Sequence, residues 1–222
     1  MTNLMSNGQL KRYKEKLAKR FEIGIIKDYL PLKKSGEEFL REAYALRKGG
    51  LFNEFKLWKQ HVQKGGSFND FILQEIKYRL FLGVAVELIV KAAFLKQGYI
   101  INSYKNLKQS WYSGLVNLFV SKNKPLKFEE VVHSRLITQH TQDISYFIDH
   151  INFIFPNLTK KECNTYIRKG LEIARIWRNK EIHLASGSHS ELIGEDEDIK
   201  TAIHYIYQEI FDDEKTINLI ML

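Results

Sequence analysis

The chain has 222 residues, 44% of them hydrophobic and 13% aromatic, which supports one globular domain or two small ones and excludes a disordered chain. Its single cysteine, Cys163, excludes an internal disulfide framework and a zinc site built from cysteines. The formal net charge of +8 favours a polyanionic partner, although a basic charge is also common in soluble proteins generally.

The N-terminal residues and the apolar stretches bear on the compartment. No apolar core of a secretory signal is present near the N-terminus, which together with the single cysteine predicts a reducing cytoplasm. The longest hydrophobic stretch, residues 80–95, is shorter than a membrane-spanning helix and carries Glu87 and Lys91 near its middle. It therefore predicts a buried core helix, and no membrane partner is expected.

Two helices are predicted at the start of the chain. Residues 8–29 have the pattern of a basic amphipathic helix, which Pro31 and Gly36 are expected to interrupt. The "SGEE" that begins at Ser35 has the spacing of a capping box. It predicts a second helix that starts there and ends at the glycine pair of residues 49–50.

A domain boundary is predicted after a further short helix over residues 51–63. Residues 1–65 are expected to form an N-terminal basic helical segment that packs on a helical bundle made of residues 66–222. The bundle opens with a long helix that begins at Ser67 and ends before Gly98, which is a suitable C-terminal cap.

The remaining chain also has helical patterns. Residues 127–155 are predicted to be helical, with an interruption around residues 138–143. The "TKKE" of residues 159–162 is a second capping box and predicts a helix that continues to about Ser186. A last helix is expected over residues 196–213. Because no stretch alternates long enough to form a sheet, the predicted fold class is an all-α helical bundle.

One polar pattern stands out late in the helix that follows the second capping box. Asn179 and His183 are four residues apart and share a helix face, whereas Arg178 falls within the apolar arc of the same helix. A buried arginine is costly unless it is paired or faces a cleft or a partner surface. Glu181 is one available partner, so a purely structural Arg–Glu pair stays open.

The spacing of an arginine and a histidine is not specific by itself. The chain has seven histidines, and Arg135 and His140 repeat the separation of Arg178 and His183. That second pair lies near the predicted helix break and has no polar companion beside the arginine. The position on the helix therefore carries more information than the spacing.

The segment "ARIWRNKEIH" resembles the signature of HEPN-domain proteins, all-α bundles whose motif is an arginine, a polar residue and then a histidine at Arg-x4–6-His spacing. Arg178, Asn179 and His183 match these three positions. The earlier segment "AVELIVKAAFLKQGY" is similar to the inner helix of the family, in which Glu87 and Lys91 match a Glu-x3-Lys pattern. These two segments carry the whole resemblance, and the N-terminal part of the chain matches nothing in it.

The resemblance implies an endoribonuclease of the toxin or abortive-infection type that needs neither metal nor cofactor. The 2′-hydroxyl of the RNA attacks the adjacent phosphate and leaves a 2′,3′-cyclic phosphate and a 5′-hydroxyl. The residue types suit this chemistry, because His183 exchanges protons near neutral pH and Arg178 stabilises the extra charge on the phosphate. Asn179 is expected to orient His183 or a phosphate oxygen.

The resemblance also implies partners. Two motif helices are expected to meet in a homodimer and form one composite cleft for RNA, and an inhibitor or antitoxin protein is a further expected partner. Arg175 and Lys180, with the basic N-terminal helix, are candidates for contacts to the RNA backbone, and a solvated face is the alternative. Some HEPN toxins carry a tyrosine that the antitoxin modifies two residues after the histidine. Ala185 stands there, so this mode of control is not expected.

Alternatives remain at the level of the whole protein and of single residues. The chain is also compatible with a HEPN-like bundle without catalysis, which binds RNA or nucleotides or acts as a scaffold, and with an unrelated helical interaction protein. Glu87 and Lys91 either form a salt bridge within their helix, or Glu87 reaches Arg178 or His183 and supports it.

Overall fold

The computed structural model describes residues 26–46, 64–65, 68–104, 124–130, 137–180 and 193–221. Of these residues, 76% are helical, and the predicted all-α fold class is confirmed. The predicted helix over residues 51–63 and most of the one over residues 8–29 lie outside the described residues, so these two predictions stay predictions.

The chain divides into two compact units. The larger unit consists of Asp28–Gln97 and Asp143–Leu222 and contains the α-helices described below. The smaller unit consists of Met1–Lys27 and Gly98–Gln142. The predicted division after residue 65 is a different one, and it stays a prediction because most of residues 1–65 lie outside the described part of the chain.

The first described helix, α1, spans Leu30–Leu46 and begins five residues before the predicted start at Ser35. The backbone N–H of Leu30 donates to the Asp28 carboxylate at 3.0 Å, which satisfies one of the free donors of the first turn. Pro31 lies in that first turn, where its missing N–H costs nothing. Pro31 therefore stands at the start of a helix, and the described residues before it, 26–29, are not helical.

The long helix α2, Phe68–Lys96, confirms the predicted bundle helix, and Gly98 follows it with a positive φ of 80°. Gly36 was expected to break a helix but lies inside α1, where it faces α2. A Cβ at this position would come within 2.8 Å of Ile89 Cγ1. The glycine therefore allows the two helices to pack closely.

The C-terminal half of the larger unit is a series of helices. They are α3 (Ile144–Asp149), α4 (Lys160–Glu162), a π-helical turn (Cys163–Arg168), α5 (Lys169–Lys180), α6 (Ile193–Ile206), a second π-helical turn (Tyr207–Phe211) and α7 (Glu214–Met221). The capping box at Thr159 is confirmed, since its side chain and that of Glu162 each accept from the backbone N–H of the other residue. From there the helix is described as far as Lys180, and its predicted last part, residues 181–186, lies outside the described residues.

The helix predicted over residues 196–213 is present as α6 and the second π-helical turn, but it is not the last helix of the chain. The chain leaves the second π-helical turn through Asp212, whose φ of 54° is left-handed, and then begins α7, which the sequence does not predict. A single left-handed residue ends one helix without preventing the next.

A small sheet lies in the smaller unit, although no strand is predicted. The strand β1, Asn102–Tyr104, pairs antiparallel with β2, Ile137–Thr141, which coincides with the predicted interruption of the helical pattern around residues 138–143. The "ITQHT" of β2 is rich in β-branched residues, which favour a strand once a partner is available. The buried Asn102 side chain accepts from the backbone N–H of Ile26 at 3.2 Å.

The hydrophobic core of the larger unit surrounds α2, which packs against α1, α3, α5 and α6. Fully buried side chains from these helices include Leu40, Leu82, Ile89, Phe94, Phe147, Leu171 and Ile203. Among the described helices, none combines the length and the apolar character that a membrane span requires.

Candidate functional site

The helix α5 carries Arg178 onto the surface of α2 at Gly83. A Cβ at residue 83 would lie 2.8 Å from Arg178 Cβ and 2.9 Å from the carbonyl oxygen of Ala174. Glycine therefore allows near-backbone contact between the helices at the point where the Arg178 side chain leaves α5. The sequence does not indicate this role of Gly83, because a glycine in an apolar run does not reveal which helix will cross it.

One turn beyond Gly83 on α2, Glu87 forms an ion pair with Arg178 through its Oε2 atom. The other carboxylate oxygen, Oε1, accepts from Lys91 Nζ at 2.5 Å. The Glu87 and Lys91 side chains are only 12% and 8% exposed. Both predicted interactions of Glu87, with Lys91 in its own helix and with Arg178, are therefore present together.

The Arg178 side chain is partly buried and partly exposed. Its Nη1 atom is shielded from solvent and faces the Glu87 carboxylate. The side chain as a whole is nevertheless 30% exposed. Since an arginine has five N–H donors in a planar fork, it has more donors than its contact with Glu87 uses.

A second carboxylate lies close enough to this charged cluster to be influenced by its charge. Asp143 is the N-cap of α3, where it accepts from the Ser145 backbone N–H at 2.9 Å and from the Ser145 hydroxyl at 2.8 Å. The Ser145 backbone hydrogen bond is the main cause of a lowered pKa of the Asp143 carboxyl, and the Ser145 hydroxyl and the charges of Arg178 and Lys91 add to it. Burial of the carboxyl acts in the opposite direction.

The sequence contains a cap signal at Asp143 but gives no sign that this carboxylate is influenced by the charge of Arg178. An aspartate before the apolar "ISYFI" is typical of a helix start. Its placement near Arg178 depends on α3 packing against both α2 and α5. This functional candidate was therefore missed.

The other predicted site residues lie elsewhere on α5 or outside the described residues. Asn179 is exposed to solvent. Arg175 donates through Nε to Glu172 Oε2 at 2.7 Å, so its charge is partly compensated on its own helix. The side chain of Lys180 and the whole of His183 lie outside the described residues, and their predicted roles stay predictions.

No family model matches the chain, and neither a curated protein nor a solved structure matches it. Among the described residues, no group of three or more His, Cys, Asp or Glu side chains is placed to hold a metal ion.

Proposed function

We propose that the protein is a metal-independent endoribonuclease of the HEPN type, which cleaves RNA by 2′-hydroxyl attack in a toxin or antiviral defence role. Arg178 carries this proposal. At the motif position it is held by Glu87 from a second helix while part of its side chain stays exposed. A fixed, accessible guanidinium is what stabilisation of a phosphorane-like transition state requires.

Glu87 fixes the guanidinium without cancelling the positive charge of the cluster. Its carboxylate is shared between Arg178 and Lys91, so these three side chains retain one net positive charge. An arginine that is already oriented needs no rearrangement when negative charge develops on the phosphate. In this proposal Glu87 and Lys91 are positioning residues, and Arg178 contacts the RNA.

Proton transfer is assigned to His183, which takes the proton of the 2′-hydroxyl or donates one to the leaving 5′-oxygen. Asn179 is four residues before it and exposed, and it orients His183 or a phosphate oxygen. A second copy of the chain would bring a second histidine to the cleft, which supplies both an acid and a base. Arg175 and Lys180 are assigned to backbone phosphates of the RNA.

The second candidate function is a non-catalytic HEPN-like module that binds RNA or nucleotides or serves as a scaffold. The ion pair between Arg178 and Glu87 favours it, because an arginine compensated inside its own chain also has a structural use. Under this alternative His183 has no catalytic task.

The deciding experiment incubates the full-length protein with a mixed RNA pool and EDTA. Wild type is compared with His183→Ala, Arg178→Ala and the control Arg41→Gln, which removes an arginine from the exposed surface of α1. We expect 2′,3′-cyclic phosphate ends from wild type and the control, and none from the two motif variants while circular dichroism shows them folded. If all four proteins give the same result, the motif is structural and the binding-module alternative takes its place.

A further inference from the structure

A cleft of about 300 Å³ lies on the larger unit at the π-helical turn, away from Glu87. It is lined by Asp149, Ile151, Asn152, Lys160, Cys163, Asn164 and Arg168. π-helical turns inside α-helices are frequent at functional sites, and a cleft of this volume is at the lower end of the range for ligand sites.

The cleft carries two cations and one carboxylate. Arg168 Nη2 contacts Asp149 Oδ1 at 2.5 Å, and the two side chains are 35% and 61% exposed. An exposed pair of this kind contributes little to stability, so an incoming anion can take the place of the carboxylate. Lys160 is exposed on the cleft wall, and its charge adds to that of Arg168.

The other polar groups of the cleft do not repel an anion. The amides of Asn152 and Asn164 offer N–H donors. Burial, and to a lesser degree the charge of Glu162, raises the pKa of the Cys163 thiol, so the thiol stays neutral at physiological pH. The Glu162 carboxylate itself accepts from the Thr159 backbone N–H at 2.8 Å and is engaged in the capping box.

The cleft lies on the same helix face as Asn179, the residue that follows Arg178, because Arg168 directly precedes α5. At about 100° per residue, Arg168, Arg175 and Asn179 fall on one face of the helix. Arg168 and Asn179 are separated by roughly 16 Å along the axis, at about 1.5 Å of rise per residue. A short single-stranded RNA that follows this face would meet both places.

We propose that this cleft binds a backbone phosphodiester of the RNA a few nucleotides from the bond that is cleaved. Arg168 and Lys160 are the phosphate ligands, and the phosphate displaces Asp149 from Arg168. The inference rests on the proposed function for the identity of the ligand as RNA. It predicts changes of opposite sign, because loss of Arg168 weakens RNA binding while loss of the competing Asp149 charge strengthens it.

The test measures binding of a fluorescent single-stranded RNA to the full-length His183→Ala protein over a series of salt concentrations. Into this background we introduce Arg168→Gln, Lys160→Gln, Asp149→Asn and the control Lys169→Gln. Lys169 is 63% exposed and lies on a different face of α5, where it pairs with Asp198. All four changes remove one charge at the surface and keep a polar side chain.

We expect Arg168→Gln and Lys160→Gln to weaken binding roughly three- to fivefold, the effect of one partly exposed charge contact. The slope of log affinity against log salt should fall in magnitude by about one for each. Asp149→Asn should tighten binding by a similar factor, and Lys169→Gln should leave it unchanged. In an otherwise wild-type protein, Arg168→Gln should slow cleavage of a long RNA and not that of a trinucleotide, which cannot reach the cleft.

The proposal is wrong if the Arg168→Gln variant binds RNA as tightly as the Lys169→Gln control. It is also wrong if Asp149→Asn does not increase the affinity for RNA. If inorganic phosphate stabilises the wild-type protein but not the Arg168→Gln variant, and both bind RNA with the same affinity, the cleft binds free phosphate and not RNA. If wild type binds RNA with the expected variant effects and does not cleave it, the ribonuclease proposal fails and the phosphate site stands. If it cleaves RNA and Arg168→Gln matches the control, only the phosphate site fails.

Discussion

Two nearly buried carboxylates in the larger unit, Glu37 on α1 and Glu87 on α2, each bind a lysine, but their surroundings differ. Glu37 accepts from Lys33 Nζ at 2.7 Å and from the Tyr207 hydroxyl at 3.1 Å. Lys33 also donates to Asp213 at 2.8 Å. We call these residues the closed cluster, and we call the group of Glu87, Lys91 and Arg178 the open cluster.

The closed cluster directs its charges toward one another. Burial alone would lower the pKa of Lys33, but hydrogen bonds from its ammonium to Asp213 and Glu37 outweigh burial and raise it. The pKa of Tyr207 is raised by burial and by Glu37, so its hydroxyl stays a donor. These contacts tie α1 to the second π-helical turn and to the start of α7. In the open cluster the Arg178 side chain stays 30% exposed. The most exposed side chain of the closed cluster, Asp213, is an anion, so of these two clusters only the open one presents an exposed cation to a phosphate.

Glu37→Ala should be the most destabilising of the changes considered for these clusters. It leaves Lys33 with one carboxylate and the buried Tyr207 hydroxyl without its acceptor, which costs about 3 kcal/mol in the free energy of unfolding. Urea denaturation of the full-length protein measures this, with the exposed neighbour Glu38→Ala as a control expected within about 0.5 kcal/mol of wild type. RNA cleavage by the folded fraction should be unchanged. Equal stability of the two variants would mean that the closed cluster is not a structural link.

Gly83→Ala and Gly36→Ala test how strongly stability depends on the close helix contacts beside the open and the closed cluster. The added methyl meets the Ala174 carbonyl oxygen and Arg178 Cβ, so α5 has to move, at a cost of about 2 kcal/mol. At Gly36, beside the closed cluster, the nearest backbone atom is the Ala85 carbonyl oxygen at 3.2 Å, compared with 2.9 Å at Gly83, and Gly36→Ala should cost less. Urea denaturation ranks the two variants. Only Gly83→Ala should also lose RNA cleavage, and retained cleavage would show that the position of Arg178 is not critical.

Glu87→Gln should lower the stability of the protein only slightly but its RNA cleavage strongly. The amide cannot compensate Arg178 and Lys91, and we expect a loss of about 1 kcal/mol in stability. Since Arg178 is no longer held, RNA cleavage should fall on the order of a hundredfold, mainly in kcat. The matched control is Glu75→Gln, which breaks a similar pair with Arg79 on the same helix. If both variants keep full cleavage, Glu87 does not position Arg178.

The fold could be predicted where its signals are local. The apolar stretch of α2, its closing Gly98 and the capping box at Thr159 are each encoded within a few residues, and the structure confirms them. The strands β1 and β2 were missed because their pairing joins distant parts of the chain. The start of α1 was misplaced because Ser35 has a cap pattern that the helix does not use.

The contacts of the candidate site could also be predicted only in part from the sequence. The contact of Glu87 with Arg178 could be anticipated, because a charge inside an apolar helix needs a partner. The place of Asp143 depends on how α3 packs against α2 and α5, and no local pattern contains that. The hydrogen bond of Tyr207 with Glu37 likewise joins opposite ends of the chain.

The smallest expected effect concerns Asp143, beside the open cluster. The charge of this residue should make the stability of the folded protein depend on pH in the acid range. The pKa of its carboxyl is lowered in the folded protein, mainly by the Ser145 backbone N–H. Its stabilisation is therefore fully present above the unfolded pKa of about 3.9 and is lost as the pH falls through the lower folded pKa.

Asp143→Asn keeps a good N-cap but cannot titrate, so its effect isolates the charge. Near pH 7 we expect a loss of well under 1 kcal/mol, since the residue is exposed. As the pH falls from 5 to 2, the melting temperatures of variant and wild type should converge. A constant difference across this range would show that the cap geometry, and not the charge near Arg178 and Lys91, makes Asp143 stabilising.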